Sequence, residues 1–147
     1  EEPALYDYLT AREFLEFVVG VRGKGAVDEA LELSGLGPDA DRLIREYSQG
    51  MRRRTALAAA VVSHPPLLVL DEAINGLDPV SADRVESFLQ RRCAAGDAVL
   101  LSTHLLDAVE KVATRIVMLK GGKVVEDVQV AELGMEGVRG LFQRHMQ

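Results

Sequence analysis

Residues 67–78 read LLVLDEAINGLD, and this stretch decides the fold. Four apolar residues lead directly into two carboxylates, Asp71 and Glu72. A continuous apolar run of this length is typical of a strand that is buried on both faces of a parallel sheet. Open α/β sheets bind ligands at the carboxyl ends of their strands, where one carboxylate can hold Mg²⁺ and a second can orient or deprotonate a water molecule. The alternative is that the two acids only mark where the strand enters solvent.

The composition limits the class of protein. The chain has 147 residues, of which 48% are hydrophobic, and a net charge of −6. This size and apolar content predict a substantial core, and the acidic balance argues against nonspecific binding of nucleic acid. The single cysteine, Cys93, excludes an internal disulfide and favours a reducing compartment. The apolar runs are too short to cross a bilayer, and the chain shows neither a signal peptide nor an initiating methionine, so we expect it to derive from a longer protein.

The sequence predicts two parts with a boundary near Pro65. Residues 1–65 are predicted to be helical, with a first helix that begins at a capping box (10–13) and further helices over 27–33, 39–47 and 48–62. Residues 66–147 are predicted to alternate, with strands at 67–70, 98–101 and 115–119, helices at 79–94 and 105–113, and a hairpin turn at 120–123 before a strand at 124–128. Strand–helix–strand order implies right-handed parallel crossovers. We therefore expect an α/β fold in which a helical subdomain precedes a partial parallel sheet.

Polar residues follow both predicted parallel strands. The first strand ends at Asp71 and Glu72, and the second ends in the sequence Ser-Thr-His, residues 102–104. Because parallel strands end at the same edge of a sheet, the carboxylates and His104 are expected to converge there. The alternative for His104 is an ordinary surface or capping residue.

A second candidate site is the start of the helix at Ser48. Ser48, Gln49 and Gly50 precede three consecutive arginines at 52–54. A helix N-terminus offers free N–H groups and the positive end of the helix dipole, which attract phosphate. Alternatively, Ser48 is a simple N-cap and the arginines form a solvated face.

Four motifs together resemble those of the ATP-binding cassette (ABC) ATPases. The sequence YSQGM (47–51) resembles the signature loop, LLVLDE (67–72) the Walker B strand, NGLDP (75–79) the D-loop, and STH (102–104) the switch-histidine loop. The resemblance implies a P-loop NTPase-like fold, with a signature-bearing helical subdomain over 1–65. It also implies a RecA-like half over 66–147, which ends in a hairpin and a C-terminal helix. Within the family, the chain looks most similar to ATP-binding subunits of bacterial transporters.

The resemblance implies a role for each matching residue. Asp71 would hold Mg²⁺, Glu72 would polarise the attacking water, and His104 would contact the γ-phosphate of ATP. Asp78 would couple two sites across a dimer interface. The signature residues would close on the nucleotide of a second ATP-binding subunit; these are Ser48, Gln49 and Gly50.

The chain departs from the family pattern in one respect that affects function. The phosphate-cradling loop Gly-x-x-x-x-Gly-Lys-[Ser/Thr] does not occur in the 147 residues, and Gly23-Lys24-Gly25 is predicted to be a turn. The start of the chain resembles the glutamine loop, with Glu1 or Glu2 in the glutamine position. Without the cradling loop most contacts to the β- and γ-phosphates are missing, so we expect this chain alone to be inactive.

These observations favour two functions over a third. In the first, the chain is part of an ATP-binding subunit on the cytoplasmic face of the cell membrane that hydrolyses ATP to power a permease. In the second, it is a non-catalytic module that engages a permease or a partner ATPase half. DNA-repair and chromosome-organising relatives carry coiled-coil or zinc-bearing insertions, and neither heptads nor cysteine clusters occur here.

Overall fold

The computed structural model describes residues 3–134 and 137–145, and the chain divides into two compact units between Ser102 and Thr103. The first unit contains helices α1 (Ala11–Arg22), α2 (Val27–Ser34), α3 (Gln49–Val61) and α4 (Pro79–Ala94) and strands β1 (Leu67–Asp71) and β2 (Ala98–Ser102). The second contains α5 (Leu106–Val112), β3 (Arg115–Lys120), β4 (Lys123–Gln129) and α6 (Gly137–His145). The predicted subdomain boundary at residue 65 lies inside the first unit and stays a prediction.

The capping box predicted for α1 is present. The Thr10 hydroxyl oxygen accepts from the Glu13 backbone N–H at 3.1 Å, and the Glu13 carboxylate accepts from the Thr10 N–H at 2.8 Å. Two otherwise unpaired backbone groups are thereby satisfied. The helix ends at Gly23, whose φ of 76° is readily adopted by glycine.

The prediction of one continuous helix over residues 39–47 is wrong. This segment forms two short 3₁₀ turns, Gly37–Asp41 and Ile44–Glu46, separated by an extended Leu43. Leu43 forms an antiparallel bridge with Thr10, and the Ile44 N–H donates to the Leu9 carbonyl oxygen at 2.9 Å. These tertiary bonds use backbone groups that a continuous helix would have bonded internally.

Helices α1, α2 and α3 of the first unit enclose a hydrophobic core. Leu15 and Ala11 of α1, Ile44, and Ala58 of α3 are fully buried. Residues of α2 and of the segment that follows it also belong to this core: Ala30, Leu31, Leu36 and Ala40. The core fixes the start of α3, which carries the signature residues.

Strands β1 and β2 are parallel and are connected by α4, as predicted. Their register pairs Leu67 with Ala98 and Asp71 with Ser102. The expectation that β1 is buried on both faces is wrong. Leu68 and Leu70 are buried, whereas Leu67 and Val69 on the opposite face are 56% and 61% exposed, because only one face of this two-stranded sheet is covered.

The second unit is built on the predicted hairpin. Strands β3 and β4 are antiparallel, and Gly121 and Gly122 turn the chain with φ angles of 57° and 74°. Strands β3 and β4 form a two-stranded sheet within this unit, and the predicted parallel crossover from β2 to β3 stays a prediction. Ile116 of β3 and Leu141 of α6 form the centre of a small separate core.

Candidate functional site

The carboxyl ends of β1 and β2 bring Asp71 and Ser102 together. The two residues are directly paired in the sheet and both are exposed. The Ser102 hydroxyl donates to Asp71 Oδ1. The Asp71 carboxylate is therefore tied to the neighbouring strand at the edge of the sheet where open α/β folds bind ligands.

Glu72 leaves the strand in an unusual backbone conformation. Its φ is 52°, in the left-handed region that residues other than glycine adopt uncommonly. Its N–H is shared between two acceptors of one residue, the Ser102 carbonyl oxygen at 3.1 Å and the Ser102 Oγ at 3.0 Å. The Glu72 carbonyl accepts from the Asn75 N–H at 3.1 Å, and the side chain is exposed.

Two contacts hold the loop from Glu72 to Asp78: the packing of a buried side chain and a hydrogen bond from α3. Ile74 is 2% exposed and anchors the loop in the protein interior. Arg53 of α3 donates to the Asn75 carbonyl oxygen at 2.8 Å. Gly76 has a φ of 73°, and a Cβ at this position would lie 2.5 Å from Arg53 Nη1. The positive φ favours glycine here, and a Cβ would displace the flexible end of the Arg53 side chain.

Asp78 ends the loop as the N-cap of α4. Its two carboxylate oxygens accept from the Ser81 N–H at 3.0 Å and the Ser81 hydroxyl at 2.6 Å. These two donors hold the pKa of the Asp78 carboxyl below its ordinary value. The two hydrogen bonds show that Asp78 caps a helix. The role in coupling two sites across a dimer interface, which the resemblance implies for Asp78, stays a prediction.

Ser48 is the N-cap of α3, and Gln49 and Gly50 form the first turn of the helix. The Ser48 Oγ accepts from the Met51 N–H at 3.3 Å. Ser48 and Gln49 are exposed and Gly50 is half-buried, so the N-terminal end of α3 is open to solvent. The nucleotide contact that the resemblance implies for these residues stays a prediction.

The three arginines that follow are anchored to backbone carbonyls. Arg52 donates to Ile44 at 3.1 Å and forms an ion pair with Asp7 at 2.8 Å. Arg53 bonds Asn75, and Arg54 donates to the Gly35 carbonyl oxygen at 3.2 Å. Arg52 and Arg54 are half-buried and Arg53 is exposed, and all three connect α3 to neighbouring segments.

His104 lies in the second compact unit. It is exposed and precedes α5, and the Thr103 hydroxyl next to it accepts from the Leu105 N–H at 3.1 Å. Its predicted convergence with Asp71 and Glu72 stays a prediction.

The carboxylate oxygens at the end of β1 suit an Mg²⁺ ion that binds together with a nucleotide. Within residues 3–134 and 137–145, no three His, Cys, Asp or Glu side chains cluster as a metal cage. Mg²⁺ bound with nucleotides takes one or two carboxylates, several waters and the substrate phosphates. Exposed Asp71 provides such a carboxylate, so the residues present fit this mode of binding.

Comparison with known proteins places the chain in a family. A family model described as "ABC transporter" matches residues 1–75, just over half of the chain. The chain therefore belongs to the ABC transporter family, as its motifs predicted.

Three curated relatives are transport or resistance ATP-binding proteins of bacteria. The bacitracin transport ATP-binding protein BcrA of Enterococcus faecalis is 38% identical over 137 residues, covering 90% of this chain and 44% of that protein. BcrA of Bacillus licheniformis is 33% identical, with coverage of 87% and 43%. The daunorubicin/doxorubicin resistance ATP-binding protein DrrA of Streptomyces peucetius is 40% identical over 112 residues, with coverage of 76% and 34%. The chain thus spans less than half the length of these relatives.

Two solved structures share the fold. An ATP-binding subunit of an ABC transporter superimposes with a TM-score of 0.86 at 24% identity, covering 100% of this chain and 66% of the other. A dimeric ATP-binding cassette in a post-hydrolysis state, bound to ADP and Pi, gives a TM-score of 0.76 at 24% identity, with coverage of 85% and 58%. The predicted fold class is therefore confirmed. None of the helices in the described part of the chain is long and apolar enough to span a membrane.

Sequence reasoning missed two contacts in this region, those of Ser102 and Arg53. The hydroxyl residue at the end of β2 was noticed only as part of a motif, although the parallel register places it opposite Asp71. The Arg53 contact depends on which carbonyl the folded loop presents, and no local pattern in the sequence encodes it.

Proposed function

We propose that this chain contributes the Walker B carboxylates and the signature loop of an ATP-binding subunit that hydrolyses ATP to power transport through a membrane permease. One observation carries the proposal. In a chain of the ABC transporter family, Asp71 lies at the carboxyl end of a parallel strand, tied to Ser102, and the exposed Glu72 follows it directly. A metal-binding carboxylate and a water-orienting carboxylate in succession are what phosphoryl transfer to water requires.

The two carboxylates have different tasks in this proposal. Asp71 would hold Mg²⁺ that arrives with ATP, in part through water, and the metal would supply charge neutralisation at the β- and γ-phosphates. Glu72 would orient and polarise the water that attacks the γ-phosphorus. The fixed backbone of Glu72 supports this role, because a positioned base needs a defined geometry.

The remaining site residues act in an assembly of two ATP-binding subunits. Ser48, Gln49 and Gly50 would contact the γ-phosphate of a nucleotide on the second subunit, using the free N–H groups at the start of α3. His104 would contact the γ-phosphate of the nucleotide that is bound to its own subunit. Asp78 would hold the loop between β1 and α4 at the interface of the two subunits. The dimeric state of the structurally similar cassette supports the proposal of a second subunit.

The test is Mg²⁺-dependent ATP hydrolysis by the ATP-binding subunit that contains these residues. Asp71→Asn should raise the Mg²⁺ concentration for half-maximal turnover and lower the maximal rate by at least about tenfold, since it removes a charged metal ligand. Glu16→Gln, which changes an exposed acid on α1, is the control. It should leave the Mg²⁺ concentration for half-maximal turnover and the maximal rate unchanged. Equal activity in the two variants would contradict the assignment of Asp71.

A second candidate is a non-catalytic module that engages a permease or a partner ATPase half. The observation that favours it is the absence of the phosphate-cradling motif from the 147 residues. We propose that the chain alone does not hydrolyse ATP and that residues carrying this motif must complete the site. The two candidates differ in whether Asp71→Asn changes hydrolysis in the completed assembly.

An exposed aromatic patch provides a candidate surface for the permease. The ring of Tyr6 packs against Phe14 and Phe17 at centroid distances of 5.7 and 5.3 Å, and Tyr6 and Phe17 are 54% and 46% exposed. Val21, one turn beyond Phe17, is 71% exposed. Aromatic residues that remain exposed beside a core are typical of protein-binding surfaces.

Binding at this patch would place the subunit on the cytoplasmic face of the membrane, where ATP is available. Phe17→Ser should lower transport in the reconstituted transporter and leave the basal ATP hydrolysis of the subunit unchanged. An equal loss of both activities would contradict a role in permease binding.

A further inference from the structure

Ser102 makes three hydrogen bonds to the two acidic residues of the candidate site. Its hydroxyl donates to Asp71 Oδ1, and the same oxygen accepts from the Glu72 N–H at 3.0 Å. Its carbonyl oxygen accepts from the Glu72 N–H at 3.1 Å. A hydroxyl has one donor and two acceptor positions, so a single Ser102 side chain can serve both neighbours at once.

These bonds restrict the rotation of the Asp71 side chain and the backbone conformation of Glu72. The bond to Asp71 restricts rotation of an exposed side chain that would otherwise be free. The bonds to the Glu72 N–H support a left-handed backbone conformation, with φ at 52°, that is unfavourable for a residue with a Cβ. The direction in which the Glu72 side chain leaves the strand depends on this backbone conformation.

We propose that Ser102 is a positioning residue whose hydroxyl orients Asp71 toward the metal and fixes the backbone from which Glu72 reaches the attacking water. The kinetic part of this inference rests on the proposed function. Ser102 itself does not touch the reacting atoms. Strand β2 thus contributes to the site through its last residue, independently of the histidine two positions further along the chain.

The structure allows a matched pair of variants. Ser102→Thr retains the hydroxyl, and Ser102→Val has nearly the same shape as threonine without it. Both are β-branched residues that favour strands, so the end of β2 is expected to form in each. Ser87→Ala, which removes a half-buried hydroxyl from α4, controls for loss of a serine elsewhere.

The first measurement is hydrogen exchange of the Glu72 amide by NMR in the 147-residue chain. Ser102→Val should accelerate this exchange about five- to tenfold, as expected for loss of one hydrogen bond. In Ser102→Thr and in Ser87→Ala, the exchange rate of the Glu72 amide should stay within about twofold of its rate in the unsubstituted chain. Unchanged exchange in Ser102→Val would overturn the proposal irrespective of any ATPase result.

The second measurement is the Mg²⁺ dependence of ATP hydrolysis by the ATP-binding subunit. Ser102→Val should raise the Mg²⁺ concentration for half-maximal turnover about tenfold, and Ser102→Thr should restore it. Equal Mg²⁺ dependence in the two variants would overturn the positioning of Asp71. If the unsubstituted subunit shows no hydrolysis, the proposed function fails, and the exchange of the Glu72 amide still decides whether Ser102 positions the loop.

Discussion

At the scale of single residues, the candidate site depends on a few polar contacts at the ends of two strands. Asp71 and Glu72 differ in how they are held, although they are adjacent in the chain. The Asp71 side chain is bonded to Ser102, and the contacts of Glu72 with the same serine run through its backbone N–H. The last residue of β2 therefore holds both acidic residues of the candidate site.

His104 is expected to act in hydrolysis and not in nucleotide binding. His104→Ala in the ATP-binding subunit should leave the dissociation constant for MgATP within about threefold of the unsubstituted value. The turnover number should fall by about 10²–10⁴-fold, the usual range when a positioned acid–base or sensor group is lost. Parallel titrations and steady-state assays measure both quantities. If the affinity falls as far as the rate, the histidine has a structural role.

At the scale of elements, the loop between β1 and α4 is held at its middle and at its end. Arg53 connects it to α3, and Asp78 caps the helix that follows. The helix that starts at the signature residues therefore contacts the loop that follows the Walker B carboxylates.

The cap of α4 gives a prediction with a defined pH dependence. Asp78→Ala should lower the midpoint of thermal unfolding of the chain by about 3 °C at neutral pH, because the Ser81 N–H loses its acceptor. Asp78→Asn should retain most of the stability, since asparagine is also a good N-cap.

The pH dependence follows from the direction of the pKa change. Two donors from Ser81 lower the pKa of Asp78 in the folded state, so the extra stability of the carboxylate is present above its ordinary value of 3.8. That stability is lost as the pH falls through the lowered pKa of the folded state. Calorimetry from neutral pH to about pH 2 should show the gap between the unsubstituted chain and Asp78→Ala narrowing in acid. A gap that widens in acid would contradict this account of the cap.

The elements could be predicted where the deciding interactions are local. The capping box at Thr10, the two glycines of the β3–β4 hairpin and the proline at the start of α4 each act within a few residues of the element they define. The segment 39–47 could not be predicted, because the bridge between Leu43 and Thr10 joins residues far apart in sequence.

The candidate site could be predicted only in part for the same reason. The carboxylates stood out by their position after an apolar run, and the parallel register then placed Ser102 beside Asp71. The roles of the arginines on α3 depend on carbonyl groups that only the folded chain presents. The exposure of Val69 depends on which face of the sheet is covered, which an apolar run does not specify.

At the scale of the whole molecule, the chain combines a signature-bearing helix and a Walker B strand, and its 147 residues contain no phosphate-cradling motif. It spans less than half the length of the bacterial relatives described above. The exposed face of the β1–β2 sheet, with Leu67, Val69 and Leu100, is an apolar surface of the kind that promotes association.

The chain alone is expected not to bind MgATP. A calorimetric titration of the 147-residue chain should show no saturable heat at millimolar nucleotide, because Asp71 contributes only one charged ligand to the metal and the cradling loop is missing. Injection of MgATP into buffer without protein provides the baseline for the heat of dilution. Micromolar binding would show that other residues hold the phosphates.

The most direct test of the central claim is nucleotide retention and turnover in the Glu72→Gln variant of the ATP-binding subunit. If Glu72 polarises the attacking water, the amide variant should still bind MgATP and form a nucleotide-bound dimer, and its turnover should fall by at least about 10²-fold. Glu16→Gln should behave like the unsubstituted protein. Undiminished hydrolysis in Glu72→Gln would contradict the assignment of the catalytic carboxylate and the function proposed from it.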